Sequence, residues 1–447
     1  MPMSLSEYIP FYKRNLKVAI PIILSQLGGA IVQLFDSIMV GSLGTIPLAA
    51  VAFASSVFVI GFLFAIGLLQ SIMPLVGYAY IQENKINTIT YFQNSFSVTL
   101  AVSIIMSTIL YLISFVMEDM GQNAEVAKMA IPYYRLLVYS LTPFLFFEAM
   151  RQFLAGLGNT SVAMWITLIA NIINIIFNYI FIYGKFGFPE MGATGAGAST
   201  LLSRCIMPIM IAFAIYHKKT WRNYWNGMSW HLFSKKHFRE MFRYGIPIAL
   251  RTVLEVSAFA ISGIMIGWLG ASPQAANQLV SNMSHMTFMI VLGISSATTI
   301  RVSHQYGKKD YHALKMAANA SIHLAFLNGI VMGSLLILFR YPIIHWFTND
   351  PEVVAIAARL LIFSGAFQIF DGLQSVGIGI LNGLTDVKHT MIYAFISYIC
   401  INLPLGYILA FKMDFGPDGI WIAFIFGLAT AAVLLHQRCY KLISKLR

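Results

Sequence analysis

Three carboxylates lie in stretches of sequence too apolar to hold a charge at low cost. Asp36 lies in QLFDSIMVG, Glu255 in TVLEVSAF and Asp371 in FQIFDGLQ. A carboxylate at the centre of a bilayer costs on the order of 2.5–3.5 kcal/mol on insertion scales, so a compensating role is expected of each. Two roles suit transport. The carboxylate can take up a proton when its surroundings disfavour charge. It can instead ligate a hard cation together with hydroxyls, amides and carbonyls. In both cases a coupling ion competes with a cationic substrate, and the residue types alone do not choose between them. The plain alternative is a structural partner, and Glu255 has one in Arg251, one turn earlier on the same helix face. Asn171, Asn174 and Asn178 recur at i, i+3 and i+7 and so share a face. That face either bonds a neighbouring helix or lines a polar cavity beside Asp36. The chain's 23 Met and 34 Phe residues give weaker support for walls that accept flat organic cations.

These residues must be positioned by membrane helices. The 447-residue chain is 58% hydrophobic and 10% charged, with mean hydropathy +0.74. About twelve continuous apolar runs follow one another, each near the roughly 20 residues needed to cross a bilayer. Lipid cannot satisfy free backbone groups, and unbroken rather than alternating runs predict helices. Among them are helix 1 at 17–42, helix 4 at 127–150 and helix 7 at 243–270.

An internal repeat organises the runs. Ala19–Gly44 and Gly245–Gly270 share a frame in which Pro21 matches Pro247, Gly41 matches Gly267 and Gly44 matches Gly270, all 226 positions apart. Gly67 and Gly293, Val76 and Val302, and Tyr80 and Tyr306 keep that offset. Leu154, Gly156 and Leu157 match Leu381, Gly383 and Leu384 at 227, and Asn174 and Tyr179 match Asn402 and Tyr407 at 228. Six helices per half give two parallel repeats. The expected domains are an N-terminal six-helix lobe at 1–216, a basic linker at 217–242 and a C-terminal six-helix lobe at 243–447. Pro21 and Pro247 would kink helices 1 and 7 near their starts, and Gly263 with Gly267 offers a close packing step.

The net charge of +12 is distributed as in a membrane protein rather than a nucleic-acid binder. Lys13, Arg14 and Lys17 precede the first run. Lys218, Lys219, Arg222, Lys235, Lys236, Arg239 and Arg243 crowd the middle loop, and Arg438, Lys441, Lys445 and Arg447 close the chain. The opposite loops carry Glu118, Asp119, Glu125, Glu190, Asp350, Glu352, Asp414 and Asp418. This asymmetry predicts a multi-pass cell (inner) membrane protein with both termini and the middle loop in the cytoplasm. No basic helix face with interleaved aromatics argues for nucleic acid. Cys205, Cys400 and Cys439 lie far apart, without the spacing of a disulfide framework or zinc site. The first apolar run is too long for a cleavable signal.

HExxH, GxSxG and Walker-type motifs are missing, so the chain is expected not to be an enzyme and to need no cofactor beyond a coupling ion. An intramembrane enzyme would need clustered His, Ser or Cys, and His304 and His323 have no evident catalytic partner in the sequence.

FDSIMVGSLG, LAGLGNT, NYIFIYGKFGFPEMGATGAG, GIPIALRTVLEV, IRVSHQYG and the Asp371 segment with LNGLTD after it resemble the multidrug and toxin extrusion (MATE) family, in its NorM-type branch. The similarity runs in order from about Leu16 to Tyr440. It implies an all-α integral membrane protein of twelve transmembrane helices, whose two lobes form a V and rock between inward-open and outward-open states. It implies a monomeric export pump for organic, often cationic, compounds, driven by exchange for Na+ or H+. The family's C-lobe cation site falls on Glu255 and Asp371, which would hold Na+. Its N-lobe aspartate falls on Asp36, with Asn174 and Asn178 as polar positions beside it. Two residues depart from the pattern. Arg251 stands where a small or apolar residue is expected, and Phe367, one turn before Asp371, replaces a tyrosine. A flippase for lipid-linked or other amphipathic substrates of the wider superfamily is the alternative. It would want a cationic cavity for pyrophosphate, whereas the buried charges here are mostly acidic.

Overall fold

The computed structural model describes residues 5–446. Among these, twelve long helices follow in order and are labelled α1 to α12. They are α1 Leu5–Gly41, α2 Thr45–Ile81, α3 Lys85–Ile113, α4 Ala124–Gly156, α5 Ser161–Tyr183 and α6 Ala193–His217, then α7 Lys235–Gly267, α8 Ala271–Lys308, α9 Tyr311–Leu338, α10 Pro351–Gly383, α11 Val387–Lys412 and α12 Gly416–Ile443. Eleven are long and apolar enough to cross a membrane. The remaining one, α4, is 33 residues long, but Arg135, Tyr133, Tyr134, Tyr139, Pro132 and Pro143 dilute its centre. No strand occurs among the described residues. The chain is an all-α membrane protein, as its composition dictates.

Helices 1, 4 and 7 begin earlier than the apolar runs suggest. α1 starts at Leu5 and α7 at Lys235, because each extends a polar, amphipathic turn or more beyond the bilayer-length core. Pro21 and Pro247 both lie inside continuous helices.

The repeat is written into the backbone. Gly44 and Gly270 precede α2 and α8 at φ +125° and +123°, a conformation that a side chain would strain. Asn84 and Asp310, again 226 apart, cap α3 and α9 by accepting from the backbone N–H three residues on, at 3.0 and 2.9 Å. Asn123 and Asp350, 227 apart, cap α4 and α10 through Glu125 N–H and Glu352 N–H, both at 2.9 Å.

Two compact units result. One is Leu24–Ala249; the other joins the chain up to Ile23 with everything from Leu250 on. This division by contact differs from lobes bounded at 216 and 243, and it differs symmetrically, since Ile23 and Ala249 are repeat mates. In the Leu24–Ala249 unit the start of α7 packs on α2: a Cβ on Gly67 would lie 2.9 Å from Ala249 Cα, and one on Gly245 would lie 2.5 Å from the Leu68 carbonyl oxygen. Ser71 Oγ donates to the Met241 carbonyl at 3.1 Å. In the second unit the start of α1 packs on α8 and α9: a Cβ on Gly293 would lie 2.3 Å from Ile23 Cγ1. Asn15 Nδ2 donates to Ser321 Oγ at 2.8 Å, and Tyr12 Oη pairs with His323 Nδ1 at 2.8 Å.

The segment 217–242, expected as a linker, folds onto the Leu24–Ala249 unit. It forms a short helix, Lys219–Asn226, with Trp221 buried. The side-chain amide of Gln93 exchanges two bonds with the Ser229 backbone at 2.7 and 3.0 Å. Asn94, fully buried, binds Leu232 O and Ser234 N at 3.2 Å each.

Candidate functional site

In the Leu24–Ala249 unit, α1, α5 and α6 bring Asp36 into a chain of buried amides and hydroxyls. Asn174 and Asn178, one turn apart on α5, are 4% and 0% exposed. Asn178 Nδ2 donates to Asp36 Oδ1 and lies 3.2 Å from Asn174 Oδ1. Ser199 of α6 donates to Asn178 Oδ1. The Asn178 amide is thereby committed on both ends, and its orientation is fixed with NH2 towards the carboxylate. Asn174 Nδ2 reaches Thr200 and Ser203 only at 3.4 and 3.5 Å, the weak end of the hydrogen-bond range. Asn171, on the same α5 face, does not join the chain. Its Nδ2 is buried without a hydrogen-bond partner and abuts Gly28, where a Cβ would lie 3.0 Å away.

Sequence reading missed two further groups here. Arg204 of α6 acts electrostatically on Asp36. It donates to Ser140 Oγ at 2.9 Å, and its guanidinium lies 4.9 and 5.0 Å from the ring centroids of Phe62 and Phe144. Tyr133 of α4 interacts with both Asp36 and Arg204. An arginine within an apolar run is itself a signal of a working site, and it was available in TLLSRCIM. One helical turn beyond Asp36 and next to Asn178, an open cavity of about 580 Å3 is lined by Met39, Tyr179, Tyr183, Lys185 and Glu190. The two phenol rings, the thioether and Glu190 are groups that suit a flat organic cation, while the Lys185 ammonium in the same lining offsets the Glu190 charge.

In the second unit the structure places Glu255 on α7 and Asp371 on α10. Arg251 Nη1 donates to Glu255 Oε2 at 3.2 Å. Tyr398 of α11 lies with its hydroxyl 3.2 Å from Glu255 Oε1 and 3.1 Å from Gln374 Oε1, and Gln374 Nε2 donates to that hydroxyl at 2.7 Å. Asp371 is 3% exposed and interacts electrostatically with Glu255, while its Oδ2 is buried without a hydrogen-bond partner. The same holds for both polar atoms of Gln368, both of Asn402 and Ser397 Oγ. Orphaned buried polar atoms are costly, and the oxygens among them, Asp371 Oδ2, Gln368 Oε1, Asn402 Oδ1 and Ser397 Oγ, are of the type that a hard cation takes. Among the described residues, no three His, Cys, Asp or Glu side chains cluster, so such an ion would draw on amides and hydroxyls as well as carboxylates.

Phe367 contributes no polar atom. It belongs to an aromatic wall with Phe259, Trp421 and Phe424, at centroid separations of 6.2, 5.8 and 6.2 Å. The phenol of this site comes instead from Tyr398. Ser397, Tyr398 and Asn402 all lie in a π-helical stretch of α11, Phe395–Asn402, the kind of wide turn often found at functional sites. The matching helix, α5, is regular.

Comparison with known proteins gives this geometry a context. A family model described as MatE matches residues 21–180 and again 247–408, one match per repeat. The chain is 32% identical over 430 residues to the multidrug resistance protein NorM of Vibrio cholerae serotype O1, covering 95% of this chain and 94% of the relative. It is equally similar, 32% over 433 residues with 95% and 94% covered, to the protein of the same name from Photobacterium profundum. Among solved structures, the outward-facing conformation of a multidrug resistance MATE family transporter of the MOP superfamily superposes with a TM-score of 0.89 at 22% identity, covering 98% of this chain and 96% of that one.

Proposed function

The chain belongs to the MatE family, and from that premise we propose how it works as a secondary transporter for multidrug efflux. It exports organic, often cationic, compounds in exchange for Na+ or H+ by alternating access. The observation that carries this reading is Asp36, a carboxylate held in a membrane helix by Asn178, one turn before the Met39 that lines an open cavity with Tyr179, Tyr183, Lys185 and Glu190. Coupling ion and substrate compete for Asp36, and the buried amides of Asn178 and Asn174 form the polar network that supports that carboxylate. Glu255 and Asp371 form the second coupling-cation site. Na+ and H+ are cargo here, and the protein uses no resident cofactor and performs no covalent chemistry.

The halves 1–216 and 243–447 are the functional lobes in this reading, and 217–242 is the cytoplasmic bridge. The protein works as a monomer in the cell (inner) membrane with both termini in the cytoplasm, in keeping with its basic loops. A flippase for lipid-linked substrates is not favoured. It would want free cationic groups for a pyrophosphate; Arg204 and Arg251 are engaged with Ser140 and Glu255, and although Arg301 Nε and Nη2 lack partners, the relatives matched over 95% of the chain are named multidrug resistance proteins.

The test is ethidium transport by purified protein in liposomes under an imposed Na+ gradient and, separately, an imposed pH gradient. Gradient-driven export that is lost in Asp36→Asn or Asp371→Asn supports the reading. Undiminished export by both variants sinks it.

A further inference from the structure

Arg251 and Glu255 lie one turn apart on α7, with side chains only 11% and 14% exposed. The guanidinium holds one carboxylate oxygen at 3.2 Å. The other oxygen accepts from the Tyr398 hydroxyl at 3.2 Å, and that hydroxyl itself accepts from Gln374 Nε2 at 2.7 Å, so Glu255 has one charged donor, Arg251, and one neutral donor, Tyr398. Arg251 Nη2 is steadied by Thr252 Oγ1 at 3.3 Å. Asp371 is placed differently. It is more deeply buried, one of its oxygens has no hydrogen-bond partner, and the charge that acts on it is that of Glu255.

The two carboxylates alone would carry a formal charge of −2. With a guanidinium that stays protonated at all working pH values, the cluster carries −1. We propose that Arg251 is a tethered counter-cation, standing where a mobile cation would otherwise bind Glu255, so that this unit takes up one monovalent cation per cycle and takes it up at Asp371. The inference rests on the reading of the chain as a cation-coupled transporter and adds to it the residue that sets how much mobile charge the unit accepts. A fixed cation in van der Waals reach of Glu255 repels Na+ from that carboxylate. Removing it should convert Glu255 into a Na+ ligand.

Binding of radioactive sodium to the purified protein in detergent decides the matter, with wild type, Arg251→Ala, Arg251→Lys and Arg251→Ala/Glu255→Gln compared at one pH. Arg251→Ala should bind Na+ at least tenfold more tightly than wild type, or gain saturable binding where wild type has none. Arg251→Lys, which keeps the charge, should behave as wild type, and the double variant should return to the wild-type level. Unchanged Na+ affinity in Arg251→Ala, or a gain that persists without the Glu255 carboxylate, overturns the proposal. Should Arg251→Ala not run as a single species on size exclusion, Arg251→Gln takes its place with the same expected outcomes. Ethidium export by wild-type liposomes is measured in parallel. Absence of gradient-driven export would count against the transport reading, while the sodium titration still judges Arg251.

Discussion

Asn178→Ala should damage transport far more than Asn174→Ala, although the two residues are identical in type, one turn apart and both buried. Asn178 makes three contacts: it donates to Asp36, accepts from Ser199 and lies 3.2 Å from Asn174. A hydrogen bond to a charged group contributes about 1.5–3 kcal/mol, and neutral interhelical bonds in membranes average roughly 0.6 kcal/mol. Deleting the Asn178 amide therefore costs about 3 kcal/mol in all, most of it at Asp36. Asn174 has that same contact with Asn178 and otherwise reaches its partners at 3.4 and 3.5 Å, so its loss costs about 1 kcal/mol on the same scale. Since about 1.4 kcal/mol is a factor of ten, the expected result is a drop in initial ethidium export of at least tenfold for Asn178→Ala and within a few-fold for Asn174→Ala. Both variants are checked for monodispersity first, so that export reports the site rather than the yield of folded protein. Equal damage from the two, or normal export by Asn178→Ala, would show that the amide does not hold Asp36 in its working position.

Two further predictions concern the helix starts and Arg204. Gly293→Ala drives a methyl into Ile23 Cγ1 and should lower the thermal midpoint in detergent, with Ile23→Ala restoring part of the loss, since the nearest atom belongs to a side chain while Ile23 N and Ala19 O stay at 3.1 and 3.3 Å. Gly67→Ala meets the Ala249 backbone at 2.9 Å, so it should be at least as destabilising, about 1–3 kcal/mol, and no side-chain truncation at 249 should rescue it; equal rescue of both would refute the account. Arg204→Ala removes the Ser140 bond and the stacking on Phe62 and Phe144 and should reduce ethidium export at least tenfold, whereas Arg204→Lys, which keeps charge but not the planar stack, should retain part of it. Full activity in Arg204→Ala would make this arginine structural only.

The repeat was legible because an offset of 226 positions survives where the backbone itself demands glycine: Gly44 and Gly270 at positive-φ turns, Gly67 and Gly293 at close helix contacts. The same offset extends to Asn84 and Asp310 at helix caps. The membrane class followed from composition alone. What the repeat conceals is which copy a helix packs on. The starts of α1 and α7 present equivalent apolar faces, and α2 and α8 present equivalent glycines. Exchange of the two therefore leaves every local pattern unchanged, and a division of the chain at 216 and 243 reads as naturally as one at Ile23 and Ala249.

The site shows the complementary limit. Asp36, Glu255 and Asp371 announce themselves because a carboxylate in an apolar run is costly, and Arg204 carried the same signal. Tyr398 did not, since one phenol in an aromatic-rich chain looks like any other packing residue. Its relevance comes from the π-helical stretch Phe395–Asn402, which shifts the register of α11 so that Ser397, Tyr398 and Asn402 are all buried. Regular α geometry would spread positions 397, 398 and 402 over a wider arc of the helix. The repeat even argues against finding it, since α5 supplies Asn174 at the position of Asn402 but runs as a regular helix. The two halves share a frame and differ in their charges: one unit pairs a single carboxylate directly with amides, with Arg204 held on Ser140 nearby, and the other pairs two carboxylates with an arginine bonded to one of them. Divergence at those few positions, on a backbone that keeps its caps and turns in register, is how one duplicated scaffold comes to hold two chemically different clusters of buried charge.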